Sequence, residues 1–213
     1  MKTKKLVISA MLIAIATVLS IFQPFQLPFG GGITIASMMP IVIIAFCYGT
    51  KWGLFSAFIF SLLQLFLGAK TVSAFFLPGE DQMVFWKAVV VCFLDYIAAY
   101  TVLGFGGIVK NKIKNDLTAI TLGSVIALSL RYIIHIISGA FFFGTWAEWF
   151  FTQEGFYAIG ANIMEAFSGS ALAWVYSIFY NGTYMLPEII ITAILTPIIY
   201  KALSASGALQ NGK

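Results

Sequence analysis

Four ionisable side chains interrupt strongly apolar stretches of this sequence: Asp95, Arg131, His135 and Glu188. A charge held in hydrocarbon is disfavoured by on the order of 3 kcal/mol or more, so such a residue either finds a polar partner or serves a function. Arg131 and His135 are four residues apart and share one helix face. Asp95 can act as counter-ion or hydrogen-bond acceptor for a polar ligand, or it can pair with Arg131 in a purely structural contact. Tyr176 and Asn181 add a phenol and an amide, and Gln64 adds another polar group within an apolar run. Asp95, His135, Tyr176 and Asn181 together read as a ligand site built from several helices. Glu188 directly follows Pro187 and lies deeper in its helix, which suggests a structural or hinge role. On this reading Asp95 carries more of the binding than Glu188.

The same inventory excludes several chemistries. The sequence has no G-x-x-x-x-G-K-[ST] phosphate loop, no H-E-x-x-H and no nucleophile elbow. Its single histidine rules out a multi-histidine metal site. Cys47 and Cys92 both fall in apolar stretches and read as packing residues rather than a disulfide or zinc pair. No cofactor and no catalytic residue is expected. An enzyme using Asp95 and His135 as acid and base is the least favoured reading.

What must position these groups follows from composition. Of the 213 residues, 61% are hydrophobic and only 9% charged, against about 25% charged in a soluble domain, and the mean hydropathy is +0.97. The long apolar runs point to helices rather than a barrel, since backbone in lipid must satisfy its own hydrogen bonds. The fold class is all-α: one polytopic unit, 1–213, with six transmembrane helices near 5–22, 33–49, 52–69, 84–109, 117–145 and 172–203. Residues 1–22 read as the first span rather than a cleaved signal, because Phe22–Gln23–Pro24 is a poor cleavage site. Gln23–Gly32, with Pro24, Pro28 and Gly30 to Gly32, is a loop able to bend closely over a neighbour. Gly49–Lys51 joins spans two and three in a tight hairpin. The aromatic 147–171 segment reads as an outer loop or an interfacial helix. Lys2, Lys4, Lys5, Lys51, Lys110, Lys112, Lys114, Lys201 and Lys213 fall on one side and only Lys70 and Lys87 on the other. Both termini are therefore cytoplasmic. The net charge of +4 reflects this topology and not a nucleic-acid surface. Ala10 and Ala14, four apart in span one, allow close approach of another helix, within the chain or from a partner.

The runs Ser129–Gly144 (SLRYIIHIISGAFFFG), Trp174–Pro187 (WVYSIFYNGTYMLP) and Phe93–Gly104 (FLDYIAAYTVLG) resemble the thiamine-specific S components of energy-coupling factor importers. The glycines ahead of Ile33–Gly49 fit the same pattern, and the resemblance covers roughly residues 5–203. It implies six helices in the cell membrane of a prokaryote and a thiamine site near the outer face, roofed by the loop between spans one and two. The family's acid–tyrosine pair falls on Asp95 and Tyr96, its histidine on His135, and its last-helix tyrosine and asparagine on Tyr176 and Asn181. A stacking aromatic falls on Phe143, with Trp146 close by. Ala10 and Ala14 would contact a transmembrane coupling subunit, and two separate ATPase subunits would hydrolyse ATP. The 147–172 segment is longer than the family's loop, which leaves open another vitamin or a thiamine precursor. A self-sufficient transporter carrying protons on Asp95 or Glu188 is the alternative from outside the family. A cationic thiazolium near lipid needs a counter-charge and aromatic faces, and Asp95 with these rings would supply both.

Overall fold

The computed structural model describes residues 2–27 and 31–209. Pro28 and Gly30 of the glycine-rich loop, and Lys213 of the inner lysine set, lie outside the described residues. The chain crosses back and forth as a helical bundle. Helix α1 (Lys2–Ile21) leads to a short hairpin of β1 (Phe25–Gln26) and β2 (Gly32–Ile33), paired antiparallel with Phe25 opposite Ile33. Helices α2 (Met39–Tyr48) and α3 (Thr50–Leu67) follow, joined through Gly49 at φ +87°. Only a glycine takes that conformation without strain, which explains so tight a turn. Then come α4 (Ala69–Phe76) and a composite span of α5 (Phe85–Cys92), a π-helical segment (Phe93–Ala98), α6 (Ala99–Thr101) and a 3₁₀ segment (Val102–Gly107). Helix α7 (Asp116–Phe142) is capped by Asn115, whose side chain accepts from the amides of Leu117 and Thr118. After a 3₁₀ turn (Gly144–Trp146), α8 (Ala147–Phe151) and α9 (Tyr157–Ala166), helix α10 (Gly169–Ala205) completes the bundle.

Among the described residues, five helical segments are long and apolar enough to cross a membrane, and α2 is a shorter sixth. At about 1.5 Å per residue α2 covers only about 15 Å, half of a hydrocarbon core of about 30 Å. The expected span of 33–49 is thus helical only from Met39. Ile33 is claimed by the hairpin and Thr34 by a contact with Glu188 described below. Such a break is tolerated because α2 is central: Ile41 to Phe46 are fully buried among the other helices. Irregular backbone survives at membrane depth only where protein or a cavity covers it.

Glycines set the inner half of the core. A Cβ on Gly104 would strike the backbone of Leu54, one on Gly106 the side chain of Val42, and one on Gly123 the carbonyl oxygen of Gly106. Helices α2, α3 and α7 therefore close directly on the 3₁₀ segment, packing being the main force joining helices in lipid. Helix α10 runs unbroken through Pro187 and Pro197 and lies along α7. Gly123→Val should force α7 off the 3₁₀ segment and destabilise the protein by about 1–3 kcal/mol, read as a fall in Tm in detergent. Gly155→Val, where an added Cβ meets open space, should leave Tm unchanged. Equal melting of the two variants would refute this account of the packing.

Candidate functional site

Helix α7 presents Arg131, His135 and Ser138 at intervals of four and three, one stripe on one face. Opposite them the π-helical segment Phe93–Ala98 carries Asp95 and Tyr96. The wider π turn departs from the i,i+4 ladder, and such bulges concentrate at functional sites. Asp95 accepts from the Ser138 hydroxyl at 2.9 Å and lies 3.0 Å from Nδ1 of His135. On the far side of the ring, Nε of Arg131 donates to Nε2 of His135 at 3.2 Å. An arginine nitrogen cannot accept, so Nε2 is the acceptor and the ring proton sits on Nδ1, facing the carboxylate. His135 is thus a neutral imidazole bridging a cation and an anion. The alternative of a direct Asp95–Arg131 pair is not what forms. Arg131 instead stacks over the Tyr100 ring at 4.1 Å and reaches the sulfur of Met38 at 2.6 Å.

Helix α10 faces this stripe. Asn181 donates to the carbonyl oxygens of His135 at 3.2 Å and Ser177 at 2.9 Å, and its own carbonyl accepts from Tyr184 at 2.7 Å. Ser177 donates to the carbonyl of Ile136 at 2.7 Å. Gly139 makes room for this seam, since a Cβ there would collide with the Ser177 hydroxyl. The bond to His135 ties α10 to α7 while the bond to Ser177 stays within α10, and the Asn181 carbonyl, already accepting from Tyr184, keeps a second lone pair that can face a ligand.

These groups line one cavity of about 970 Å³, at the upper end of small-molecule sites. Asp95, Tyr96, His135, Phe143, Trp146, Tyr176 and Asn181 all border it. The sequence reading left open whether Phe143 or Trp146 carries the stacking ring, and both reach the wall. Tyr176 packs edge-on against Phe150 of α8 with ring centres 5.5 Å apart, which ties residues 144–151 to the site. The hairpin contributes Gln26, Gly31 and Gly32, and the outer end of α3 contributes Gln64, whose amide donates to Ser20 at 2.9 Å. The mouth carries exposed Lys70, Glu80 and Asp81.

Sequence reasoning missed part of this wall. Thr34, Ser37, Tyr100 and Tyr184 border the cavity too, but uncharged residues in an apolar run give little signal. Glu188, read as structural or as a hinge, is 1% exposed and lines the same cavity. The described lining holds Asp95, Glu188, Glu80 and Asp81 against Arg131 and Lys70. With His135 neutral, ionised carboxylates give it an excess of negative charge, suited to a cationic guest. Ala10 and Ala14 lie elsewhere, exposed on α1 beside a shallow apolar groove of about 270 Å³ shared with α3.

The bonding pattern makes a direct prediction. The ¹⁵N spectrum of His135, the single histidine, should show a neutral Nδ1–H tautomer near neutral pH. Replacing Arg131 with Met should shift the Nε2 resonance. A doubly protonated ring in the unliganded protein would refute the Arg131–His135 bond.

Comparison with known proteins now bears on this site. The chain is 29% identical over 207 residues to the thiamine transporter ThiT of Bacillus subtilis (strain 168), covering 92% of this chain and 90% of that one. A solved structure of ThiT from Listeria monocytogenes shares the fold, with a TM-score of 0.64 at 20% identity over 98% of both chains. The family model described as "Thiamine transporter protein (Thia_YuaJ)" matches residues 6–164, from α1 through the cavity's helices α3 to α7 and into α9. That match spans well over half of the sequence, and the chain belongs to the thiamine transporter protein family.

Proposed function

We propose that this protein captures thiamine from the outer side of a prokaryotic plasma membrane, as the S component of an energy-coupling factor importer. The observation that carries the reading is the single cavity joining Asp95 and His135 to the rings of Tyr96, Phe143, Trp146 and Tyr176. A thiazolium cation is stabilised by a carboxylate and by aromatic faces, and the excess negative lining favours a cation over a neutral or anionic vitamin. The aminopyrimidine needs directed donors and acceptors, which Tyr176 and the Asn181 carbonyl can offer. Neutral His135 holds the Asp95 carboxylate in place without repelling the guest.

Binding needs no covalent chemistry, and the sequence carries no phosphate loop. The energy for import comes on this reading from two ATPase subunits acting through a transmembrane coupling subunit. The exposed Ala10–Ala14 face of α1, with the adjoining groove, fits a partner helix that packs against small residues in lipid.

Titration of the purified chain with thiamine, followed by tryptophan fluorescence, should give tight saturable binding, with pyridoxine and riboflavin as non-binding controls. No binding by a folded sample, or preference for another vitamin, would overturn the substrate. Asp95→Ala should weaken binding by on the order of 2–5 kcal/mol, the usual loss for a desolvated charge partner. An unchanged affinity would remove Asp95 from the site. Ala14→Phe should leave the titration untouched while abolishing thiamine uptake by cells expressing the complete importer. Normal uptake would exclude this face as the docking surface.

A further inference from the structure

The first acidic residue of the sequence is Glu80. Lysines at the amino-terminal ends of α1 and α3 therefore meet no carboxylate on their own helices or on α2. Lys5 directly precedes Leu6, and Lys51 directly precedes Trp52. Leu6 and Trp52 are the first residues of each helix to line the apolar groove between α1 and α3. The Lys5 ammonium lies 4.1 Å from the centre of the Trp52 ring and 5.5 Å from that of Tyr48. Aromatic faces thus hold this cation at the end of the groove, where no anion neutralises it. Lys51 is exposed, and among the described residues the one salt bridge is between His135 and Asp95. Helices α1 and α3 are joined at either end of the groove, by Trp52 Nε1 donating to the Ser9 hydroxyl at 2.9 Å and by the Gln64 amide donating to Ser20 at 2.9 Å. Between these bonds Ala10 and Ala14 leave a recess, flanked by the exposed Phe55, Ile59 and Leu63. The groove runs about 12 Å along α1, from Leu6 to Ala14, and about 16.5 Å along α3, from Trp52 to Leu63, at about 1.5 Å per residue. That matches one leaflet, half of a hydrocarbon core of about 30 Å. An apolar recess one leaflet deep, with a tryptophan and two uncompensated cations at its polar end, has the polarity profile of a phospholipid.

We propose that this groove holds one anionic glycerophospholipid from the leaflet on the lysine-rich side, its phosphate against Lys5 and Lys51 and one acyl chain against Ala10, Ile13 and Ala14. The site is independent of the reading of the cavity as a thiamine site, because no residue lines both. It bears on assembly instead. A partner helix that packs on the Ala10–Ala14 face has to displace this lipid, so the two are alternative occupants, and the lone chain carries the lipid.

Native mass spectrometry of the purified full chain tests this, with dioleoylphosphatidylglycerol and dioleoylphosphatidylcholine added at equal concentration. The chain should retain one phosphatidylglycerol, with an apparent affinity about tenfold above that for phosphatidylcholine, the scale of two basic residues at an anionic headgroup. Lys5→Gln combined with Lys51→Gln should abolish that preference. Lys112→Gln combined with Lys114→Gln, on the same side but off the groove, should preserve it. Ala10→Leu, which fills the recess and leaves both lysines in place, should weaken retention of both lipids. Inorganic phosphate at millimolar concentration should not displace the lipid, because the acyl chain is held as well as the headgroup. Equal retention of the two lipids, an equal loss in the two lysine pairs, or full retention in Ala10→Leu would overturn the site. Displacement by inorganic phosphate would show a contact with the headgroup alone and overturn the seating of the chain. If the Lys5 and Lys51 double variant fails to fold, as read by circular dichroism, Ala10→Leu and Lys51→Gln alone decide the question.

Discussion

Arg131, His135 and Ser138 form a polar stripe on a helix whose surroundings are hydrocarbon and protein, and the rest of the site is arranged around satisfying it. Arg131 cannot shed its charge, so it must be stabilised where it stands. It is held by a ring face, a sulfur and an imidazole nitrogen, none of which is an anion. Asp95, a carboxylate on the other side of the ring, is joined to it through His135. Placing the imidazole between them keeps the Asp95 charge from being consumed in a direct ion pair. The carboxylate stays partly open, at 22% side-chain exposure, on a cavity wall where a cation can meet it. A direct guanidinium–carboxylate fork would have been a tighter contact and a poorer binding site.

Three departures from regular helix make room for that arrangement. The π turn at Phe93–Ala98 carries Asp95 and Tyr96, the 3₁₀ segment Val102–Gly107 lets three helices close beneath the site, and the Thr34–Ser37 turn shortens α2. Each exposes backbone polar groups that lipid would not forgive, and each is covered by protein or opens onto the cavity. The regular parts supply the outward apolar surface, where Leu6, Met11, Phe66, Phe141 and Ile190 lie exposed. Binding and spanning are thus divided between irregular and regular stretches of the same helices.

The helical spans and the charged residues that border the cavity were legible because each rests on a chemical contrast along the chain. Asp95, Arg131 and His135 stand out among valines, leucines and isoleucines, and the lysines sort to one side. Where span two begins was not legible. Ile33 and Ile35 are as apolar as the helix that follows, and hydropathy reports burial without reporting backbone conformation. Ser138 and Thr34 were silent because a hydroxyl scarcely alters an apolar run, although one bonds to Asp95 and the other to Glu188. Glu188 was visible, but its position along α10 said nothing about which neighbour it meets. That neighbour, Thr34, lies 154 residues away in sequence, and only the folded bundle brings them together.

That long-range contact also explains why α10 is so polar for a spanning helix. Tyr176, Asn181, Tyr184 and Glu188 recur at intervals of five, three and four, close enough to the helical repeat to share one broad face. Each sits where α10 meets a different part of the cavity: Tyr176 against α8, Asn181 against α7, Tyr184 under Gly31 and Glu188 under Thr34. A helix that served only to fill the bundle would carry small or aliphatic residues at all four positions. Here one face of one helix meets α7, α8 and the segment that follows β1, all around the same cavity. A shift of α10 by a fraction of a turn would therefore disturb all three together. Coupling of this kind needs no separate signalling element, because the residues that line the site also pack α10 against its neighbours.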